Sequence, residues 1–251
     1  QAEKVEKQLK EMGYGKVIVK KVVVTTESGL EAGARDARYQ ALSACAAQEK
    51  ATKVFLGHTR DDQAETVLLG LARGSGTRSL SGMAMENGIY IRPLLHITRA
   101  QTVSACKELG IDAWNDPHNG NTEFSRVRVR TEVLPLMEEK LGPGISAALA
   151  RSASILRDDA DALDEIAQSE ISTSDLSDLD CEHLSSLARA IRSRVLRAAL
   201  YAAGAPSGSI TAEHLAAVEA LVTSWRGQGE VSLPGGVKVE RISGRLSLLA
   251  Q

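Results

Sequence analysis

The feature that most constrains the fold is a change of pattern near residue 140. Before it, short apolar runs alternate with segments whose apolar residues recur at helical spacing. The predicted strands are KVIVKKVVV (16–24), TKVFLG (52–57) and IYIRPLL (89–95), and the predicted helices cover 2–13, 30–48, a segment starting near residue 61, and 99–109. This strand and helix order predicts an α/β fold with a mostly parallel, doubly wound sheet and helices on both faces.

The second part of the chain reads as helices. We predict one long helix after the Gly-Pro-Gly break at 142–144, running to about residue 170, and further helices over 181–203 and 211–225. A small β-meander follows, with turns at Pro234-Gly235-Gly236 and Ser243-Gly244. We therefore divide the chain into a larger domain, 1–144, and a smaller, mainly helical domain, 145–251, with the meander at its end.

Composition places the chain among ordinary globular proteins, because 43% of its residues are apolar and 25% are charged. No run approaches the roughly 18 apolar residues of a membrane span, and the charged opening helix is unlike a signal peptide. Cys45, Cys106 and Cys181 are far apart, which fits a reducing compartment and excludes a compact cysteine metal cluster. We expect a cytoplasmic protein without membrane contact.

Charge is distributed unevenly along the chain. Residues 151–182 carry two basic against ten acidic residues, whereas residues 183–251 carry eight basic against four acidic ones. The acidic stretch is most simply a solvated helix face and a following loop, and the basic segments are candidate contacts for a polyanion. The chain has only two Phe, two Trp and four Tyr, which counts against a surface that binds single strands by base stacking.

The sharpest cluster of chemically active residues is GHTRDDQAET, residues 57–66. His58 follows a predicted strand, where ligands of open parallel sheets bind, and Asp62 and Glu65 would share one face of the next helix. Such a group suits a cationic amine, a metal ion or proton transfer. The alternative is ordinary helix capping by acidic residues, and the sequence leaves both open.

Two further segments are candidate phosphate contacts. Arg35 and Arg38 in ARDARY share one helix face, with two solvated arginines as the alternative. Arg73 begins the Gly- and Ser-rich loop RGSGTRSLSG (73–82), whose glycines match neither the Walker pattern nor G-x-G-x-x-G. We interpret this loop as a helix stop that positions Arg73.

Two groups of arginines are candidate polyanion contacts. One group follows a polar loop and alternates along the chain, and it is either a nucleic-acid or triphosphate contact or a solvated cluster. It consists of Arg126, Arg128 and Arg130. The other group lies in the helix predicted over 181–203, opposite an apolar arc of Leu184, Leu187, Ile191 and Val195; it consists of Arg189, Arg192, Arg194 and Arg197.

Taken in order, these segments resemble the tRNA(Ile)-lysidine synthases of the PP-loop ATP pyrophosphatase superfamily. The matching strings are ARDARY (34–39), LGHTRDDQAET (56–66), LLGLARGSGTRSLSGM (68–83), RPLL (92–95), DPHN with RVRVRTEVLPLMEE (116–139), and LPGGVKVERISGRLSLL (233–249). The resemblance covers nearly the whole chain.

This resemblance implies an ATP-dependent ligase that joins L-lysine to the wobble cytidine of isoleucine tRNA with a CAU anticodon. It implies ATP with Mg²⁺, a catalytic domain over 1–144 and a substrate- or tRNA-binding domain over 145–251. The implied roles are catalysis by Arg38, His58, Asp62 and Glu65, lysine binding by Asp62 and Glu65, and ATP binding by Arg38 and His58. The implied tRNA contacts are Arg73, Arg126, Arg128, Arg130, Arg192 and Arg194.

The chain departs from the family pattern at three places. The Ser-Gly-Gly-x-Asp-Ser phosphate loop is absent from these 251 residues, and we expect it upstream of Gln1. Thr59 stands where a second His is common, and Val127 stands where Asn is usual.

Three alternatives accompany this reading. A tRNA-thiolating relative would use the same adenylation, but sulfur transfer calls for paired cysteines, which the sequence lacks. A non-catalytic tRNA-binding remnant would bind tRNA without releasing AMP, and a metal site at His58, Asp62 and Glu65 would retain metal without nucleotide. The sequence leaves the oligomeric state open, a homodimer included.

Overall fold

The computed structural model describes residues 1–25, 30–206 and 208–249. It divides into two compact units, one formed by Gln1–Gln63 with Met83–Gly120 and the other by Ala64–Gly82 with Asn121–Gln251. Neither unit ends at residue 144, and the two-domain boundary drawn there stays a prediction.

The elements of the first half are α1 (Ala2–Glu11), α2 (Leu30–Gln48), β1 (Val54–Phe55), α3 (Arg60–Ala72), α4 (Thr77–Leu80), β2 (Glu86–Asn87), β3 (Tyr90–Ile91), α5 (Arg99–Glu108) and a 3-10 turn (Pro117–Gly120). The second half consists of α6 (Ser125–Arg128), a π-helical turn (Val129–Val133), α7 (Leu134–Leu141), α8 (Ile145–Thr173), β4 (Asp178–Asp180), α9 (Cys181–Ser186), α10 (Arg189–Ala202), α11 (Ala212–Thr223), β5 (Val231–Ser232), a 3-10 turn (Pro234–Gly236), β6 (Lys238–Ile242) and β7 (Arg245–Leu249).

The first unit contains a small sheet with the strand order β1-β3-β2. β1 and β3 are parallel, with Val54 opposite Tyr90, whereas β2 and β3 form an antiparallel hairpin. The α/β class is confirmed, since helices alternate with these strands. Within the described residues the sheet is shorter and less parallel than the doubly wound sheet that we predicted.

The β-branched run 16–24 forms no strand, and this part of the prediction is wrong. Val19, Val22 and Val23 are exposed, and no ladder joins the run to another described segment. High strand propensity alone does not make a strand, because a strand also needs a pairing partner and a surface to cover.

The second unit has a larger core, built from α8 to α11 and an antiparallel sheet with the order β4-β7-β6-β5. The predicted meander is confirmed. β6 and β7 are joined by Ser243 and Gly244, whose φ angles are 49° and 83°. Two successive positive φ values are what a two-residue type I′ hairpin turn requires, and Gly tolerates them at no steric cost.

β4 lies in the acidic stretch that we interpreted as a helix face and a loop, and we did not predict it. Its three residues alternate exposed, buried and exposed, with Leu179 in the core. Asp178 and Asp180 both bind Arg245 of the neighbouring β7, whose single positive charge offsets part of their negative charge.

The single helix predicted over 181–203 is two helices, because the chain is extended at Leu187 and Ala188. Asp180 caps the start of α9 by accepting from the backbone N–H groups of Glu182 and His183. At the other end, Arg192 Nη1 donates to the carbonyl of Leu187 at 2.9 Å. The arc of four apolar residues predicted for one helix is therefore divided between α9, its end and α10.

Among the described residues, none of the helices combines the length and the hydrophobicity that a bilayer crossing requires.

Two leucines of strand β7 provide a matched test of the core of the second unit. Leu246 is fully buried and Leu249 is 51% exposed. We expect Leu246→Ala to lower the free energy of unfolding by about 2–5 kcal/mol, because it removes buried methyl groups and leaves a cavity. Leu249→Ala should change it by roughly 0.5 kcal/mol or less. Urea titrations of both variants measure the difference, and equal losses would contradict the described core.

Candidate active site

The junction between β1 and α3 carries the GHTRDDQAET segment. Leu56 N donates to Ile91 O at 2.8 Å beside the parallel pair, and the chain then passes through Gly57 and His58 into α3. His58 is half-buried and Thr59 is buried. The structure thus places His58 after the carboxyl end of a parallel strand, as predicted, which is the usual position for ligand-binding residues in such sheets.

Asp62 has a capping role at this junction. Its Oδ2 accepts from Thr59 N and from Thr59 Oγ1, both at 2.8 Å. Its Oδ1 accepts from Arg99 Nη2 at 3.1 Å, and the backbone N of Arg99 donates to Asp61 Oδ2 at 2.8 Å. The capping alternative that the sequence left open is therefore present in the structure, and it fixes Asp62 within the strand-to-helix turn.

Glu65 is fully buried in the second unit. Arg130 donates two hydrogen bonds to its carboxylate, from Nε to Oε1 at 2.6 Å and from Nη2 to Oε2 at 2.9 Å. Arg126 Nε lies 3.6 Å from Oε2, and Arg126 Nη2 donates to Thr66 Oγ1 at 2.9 Å. Two arginines thus surround one carboxylate, which balances the charge of a group that water does not reach.

The ARDARY segment presents its arginines around one aromatic ring. The guanidinium carbons of Arg35 and Arg38 lie 5.4 and 5.7 Å from the centroid of the Tyr39 ring, and both arginines are exposed. Tyr39 itself packs edge-on against Tyr90 with the ring centroids 5.0 Å apart. Its hydroxyl accepts from Arg92 Nη2 at 3.2 Å. Arg38 is therefore exposed on a well-anchored helix, a position that suits an anionic ligand.

Sequence reasoning missed Gln63, which is 7% exposed. Its Nε2 donates to Met83 O at 3.0 Å, and its Oε1 accepts from Met83 N at 2.7 Å. The Gln63 amide therefore satisfies both the backbone N–H and the backbone carbonyl of Met83, as a neighbouring strand would. The available signal was its position one turn before Val67 on the apolar face of α3, because a buried amide there has to find partners on both sides.

The other predicted tRNA contacts lie in different surroundings. Arg73 and Arg128 are exposed, and Arg128 Nη1 donates to the carbonyls of Thr122 and Glu123 in its own loop. Arg194 is half-buried and binds Asp164 of α8 at 2.5 Å. These assignments stay predictions.

Arg192 does not suit a tRNA contact. It is 8% exposed, and its Nε and Nη2 donate to Glu219 Oε1 at 3.0 and 2.8 Å. Together with the Nη1 bond to Leu187, these contacts commit the guanidinium to the core of the second unit. Arg189 reaches the same carboxylate from outside, at 3.4 Å, with 80% of its side chain exposed. The sequence predicts both on the polar face of one helix, whereas in the structure the side chain of Arg192 is buried and that of Arg189 is exposed.

A metal site at His58, Asp62 and Glu65 receives no support. Among residues 1–25, 30–206 and 208–249, no group of three His, Cys, Asp or Glu side chains has an arrangement that would hold a metal ion. Asp62 and Glu65 instead bind arginines.

Comparison with known proteins first gives the class. Residues 1–137 match the PP-loop domain family, and residues 179–247 match the family described as the TilS substrate binding domain. The α/β first part of the chain is therefore a PP-loop domain. The residues between the two matches include the predicted boundary at 144.

Individual relatives identify the family more closely. The chain is 50% identical to the tRNA(Ile)-lysidine synthase of Streptomyces coelicolor over 98% of its length and 71% of that relative. The tRNA(Ile)-lysidine synthase of Thermobifida fusca is 49% identical over 96% of the chain and 75% of that relative. The tRNA(Ile)-lysidine synthase of Nocardia farcinica is 47% identical over 97% of the chain and 77% of that relative. The chain belongs to the tRNA(Ile)-lysidine synthase family.

The role of Gln63 is testable by a change that keeps its shape. We expect Gln63→Glu to lower the free energy of unfolding by about 1–3 kcal/mol, because the donor to Met83 O is lost and a carboxylate is buried beside that carbonyl. Gln101→Glu is the control. The Gln101 side chain accepts hydrogen bonds from Thr98 N and Thr98 Oγ1 through its Oε1, and a carboxylate can accept the same two bonds. Similar stability of the two variants in chemical denaturation would contradict a stabilising role for the two hydrogen bonds between Gln63 and Met83.

Arg192 and Arg189 form a second matched pair. Arg192→Met leaves Glu219 buried without the two hydrogen bonds that Arg192 donates to its Oε1, and should lower the free energy of unfolding by about 3–5 kcal/mol. Arg189→Met removes an exposed partner of the same carboxylate and should cost about 1 kcal/mol or less. Thermal and urea unfolding measure both; a larger loss for Arg189→Met would reverse the assignment.

Proposed function

We propose that this protein is an ATP-dependent ligase that attaches lysine to the wobble cytidine of isoleucine tRNA with a CAU anticodon. The observation that carries the proposal is the identity of about half of its residues, over nearly the whole chain, to proteins named tRNA(Ile)-lysidine synthase. The position of His58 after β1 and of Asp62 on α3 adds a local argument, because these are groups that the chemistry needs.

The reaction has two steps. The oxygen on carbon 2 of cytosine attacks the α-phosphorus of ATP, and pyrophosphate leaves. The ε-amine of lysine then attacks carbon 2, the C–O bond breaks, AMP leaves with the oxygen, and the amine loses protons to give lysidine. Both steps move negative charge onto phosphate, and the second needs a base for the ammonium group.

The side chains of the chain divide between these tasks. Arg38, exposed beside Tyr39, binds phosphate oxygens of ATP or of the adenylate, because a guanidinium stays charged and can bind two oxygens at once. His58 lies at the strand end and contacts ATP or takes the proton of the amine. Asp62 supplies negative charge for the lysine ammonium group. Glu65, which is fully buried against Arg130 and Arg126, contributes to the local architecture of α3 and not as an accessible carboxylate. Mg²⁺ is expected to accompany ATP, because a divalent ion screens the negative charges of the triphosphate.

Exposed arginines supply the contacts to tRNA. Arg73 and Arg128 are on the surface, and Arg126 and Arg194 are partly accessible. Contacts of this kind bind the phosphate backbone and weaken with rising salt. With tRNA and ATP as substrates, we place the protein in the cytoplasm.

The direct test supplies the full-length protein with ATP, radiolabelled lysine and two tRNA transcripts that differ only at the wobble base. We expect lysine to enter the cytidine transcript and not the uridine transcript, with one AMP and one pyrophosphate released per lysine. Chromatography of nuclease digests measures the modified nucleoside. Binding of the cytidine transcript without lysine incorporation would reject the ligase in favour of a tRNA-binding remnant.

A further inference from the structure

Trp225 is a large aromatic residue on the surface of the second unit. It follows α11 in the loop SWRGQG (224–229), and 40% of it is exposed. Single exposed apolar residues are ordinary on protein surfaces, so exposure alone does not define a binding site. What distinguishes Trp225 is the way in which its neighbours hold it.

One side chain holds the backbone on both sides of Trp225. Gln228 Oε1 accepts from Arg226 N at 2.6 Å, and Gln228 Nε2 donates to Ser224 O at 2.8 Å. Gly227 makes the turn that brings Gln228 back, with a φ angle of 81° that favours glycine. The loop therefore presents the indole ring from a fixed backbone, so that little conformational entropy is lost when a ligand binds the ring.

A guanidinium lies over the Trp225 ring. The Cζ atom of Arg241 is 5.5 Å from the ring centroid. Arg241 follows the buried Val239 by two residues on β6, so both side chains lie on the same face of the sheet. Its Nη1 donates to the carbonyls of Leu221 and Val222, at 2.8 and 3.2 Å, in the last turn of α11. Arg241 thus supports the ring with a charge that is itself held in place, and it leaves part of the ring exposed.

The charge around Trp225 favours a polyanion. The loop 224–229 contains Arg226, which is exposed, and no acidic residue. Glu230, the next acidic residue along the chain, is paired with Lys238 at 2.7 Å. A phosphate chain that approaches the ring therefore meets the two arginines at 226 and 241 and a carboxylate whose charge is already balanced.

Trp114 in the first unit is a contrasting case. It is 52% exposed, which is more than Trp225. However, Asp112 and Asp116 lie two residues before it and two residues after it. Negative charge on both sides repels a polyanion, so Trp114 serves as the matched control for an exposed indole.

A flat ring beside positive charge suits an unpaired nucleobase. Proteins that bind single-stranded nucleic acids combine aromatic rings, on which bases stack, with basic groups that attract the adjoining phosphates. A base inside a duplex is stacked between its neighbours, whereas an unpaired base can be turned out onto a protein side chain. The small number of aromatic residues counts against a surface that stacks many bases, but one ring is enough for one base.

We propose that Trp225, supported by Arg241, stacks on one unpaired base of the tRNA substrate. This inference rests on the proposed function, which supplies tRNA as the substrate. It adds a contact to a base to the arginine contacts with phosphates, and it gives the second unit a means of distinguishing the single-stranded part of a tRNA from its paired stems.

The first test measures the Kd for tRNA of the full-length protein at several salt concentrations. Trp225→Leu keeps an apolar side chain next to Arg241 but has no aromatic face. We expect it to raise the Kd about 5- to 150-fold, the range spanned by stacking of one base on an aromatic ring. The dependence of the Kd on salt should not change, because stacking releases no counterions. Trp225→Phe should restore most of the affinity, and Trp114→Leu should keep the wild-type Kd.

Two further readouts identify the contact as stacking on an unpaired base. Trp225→Leu should leave the Kd for an RNA duplex unchanged. Binding of tRNA should quench part of the indole fluorescence of the wild-type protein and of Trp114→Phe, and this part should be missing in Trp225→Phe. The fluorescence test uses only the conservative change to Phe, so it remains decisive if Trp225→Leu does not fold.

The outcomes separate this inference from the function on which it rests. If the protein shows these effects on tRNA binding but incorporates no lysine, the proposed function fails and the stacking contact stands. If it incorporates lysine while Trp225→Leu keeps the wild-type Kd, or while tRNA quenches no Trp225 fluorescence, the stacking contact is overturned. Equal losses of affinity for tRNA and duplex would overturn it as well. So would protection of Trp225 from acrylamide in the free full-length protein, since another part of the protein would then cover the ring.

Discussion

A carboxylate that water does not reach has to be neutralised inside the protein, and much of this chain's local architecture follows from that requirement at Glu65. Its partner Arg130 comes from a segment 65 residues later in the chain. That arginine reaches inward because the helix around it has a buried valine on each side and a π-turn beside it. The pair couples α3 to the segment before α7, so that neither can shift without leaving an uncompensated buried charge.

The sequence predicted a good part of this arrangement. Helical periodicity predicted α2, α3 and α8 closely, because these segments carry apolar residues at helical spacing, and the βαβ order predicted α5, which has no buried residue. The position of His58 followed from strand and helix alone. The partners of Asp62, Glu65 and Arg130 did not, because pairing across many residues depends on packing that no local pattern encodes. An arginine in the sequence is equally compatible with a phosphate, a carboxylate or solvent.

The errors have a common physical cause. The run 16–24 has strand propensity but no ladder, and the segment 178–180 has little propensity but pairs with β7. Likewise the apolar arc over 181–203 suggested one helix, although Arg192 captures the carbonyl of Leu187 and stabilises a break. In the first two cases a strand partner, absent or present, outweighed the local preference, and in the third a side chain five residues along the chain stabilised the break.

Side chains that hold backbone carbonyls recur in the structure. The four successive carbonyls from Ser81 to Ala84 are bound by side chains: the first two by Arg157, the third by Gln63 and the fourth by Arg92. A carbonyl is the same group in every residue, so these anchors do not depend on which amino acids the segment itself contains. Substitutions within residues 81–84 should therefore be tolerated more readily than substitutions of Arg157, Gln63 or Arg92. Among related chains, residues 81–84 should vary while the three side chains that bind their carbonyls stay constant.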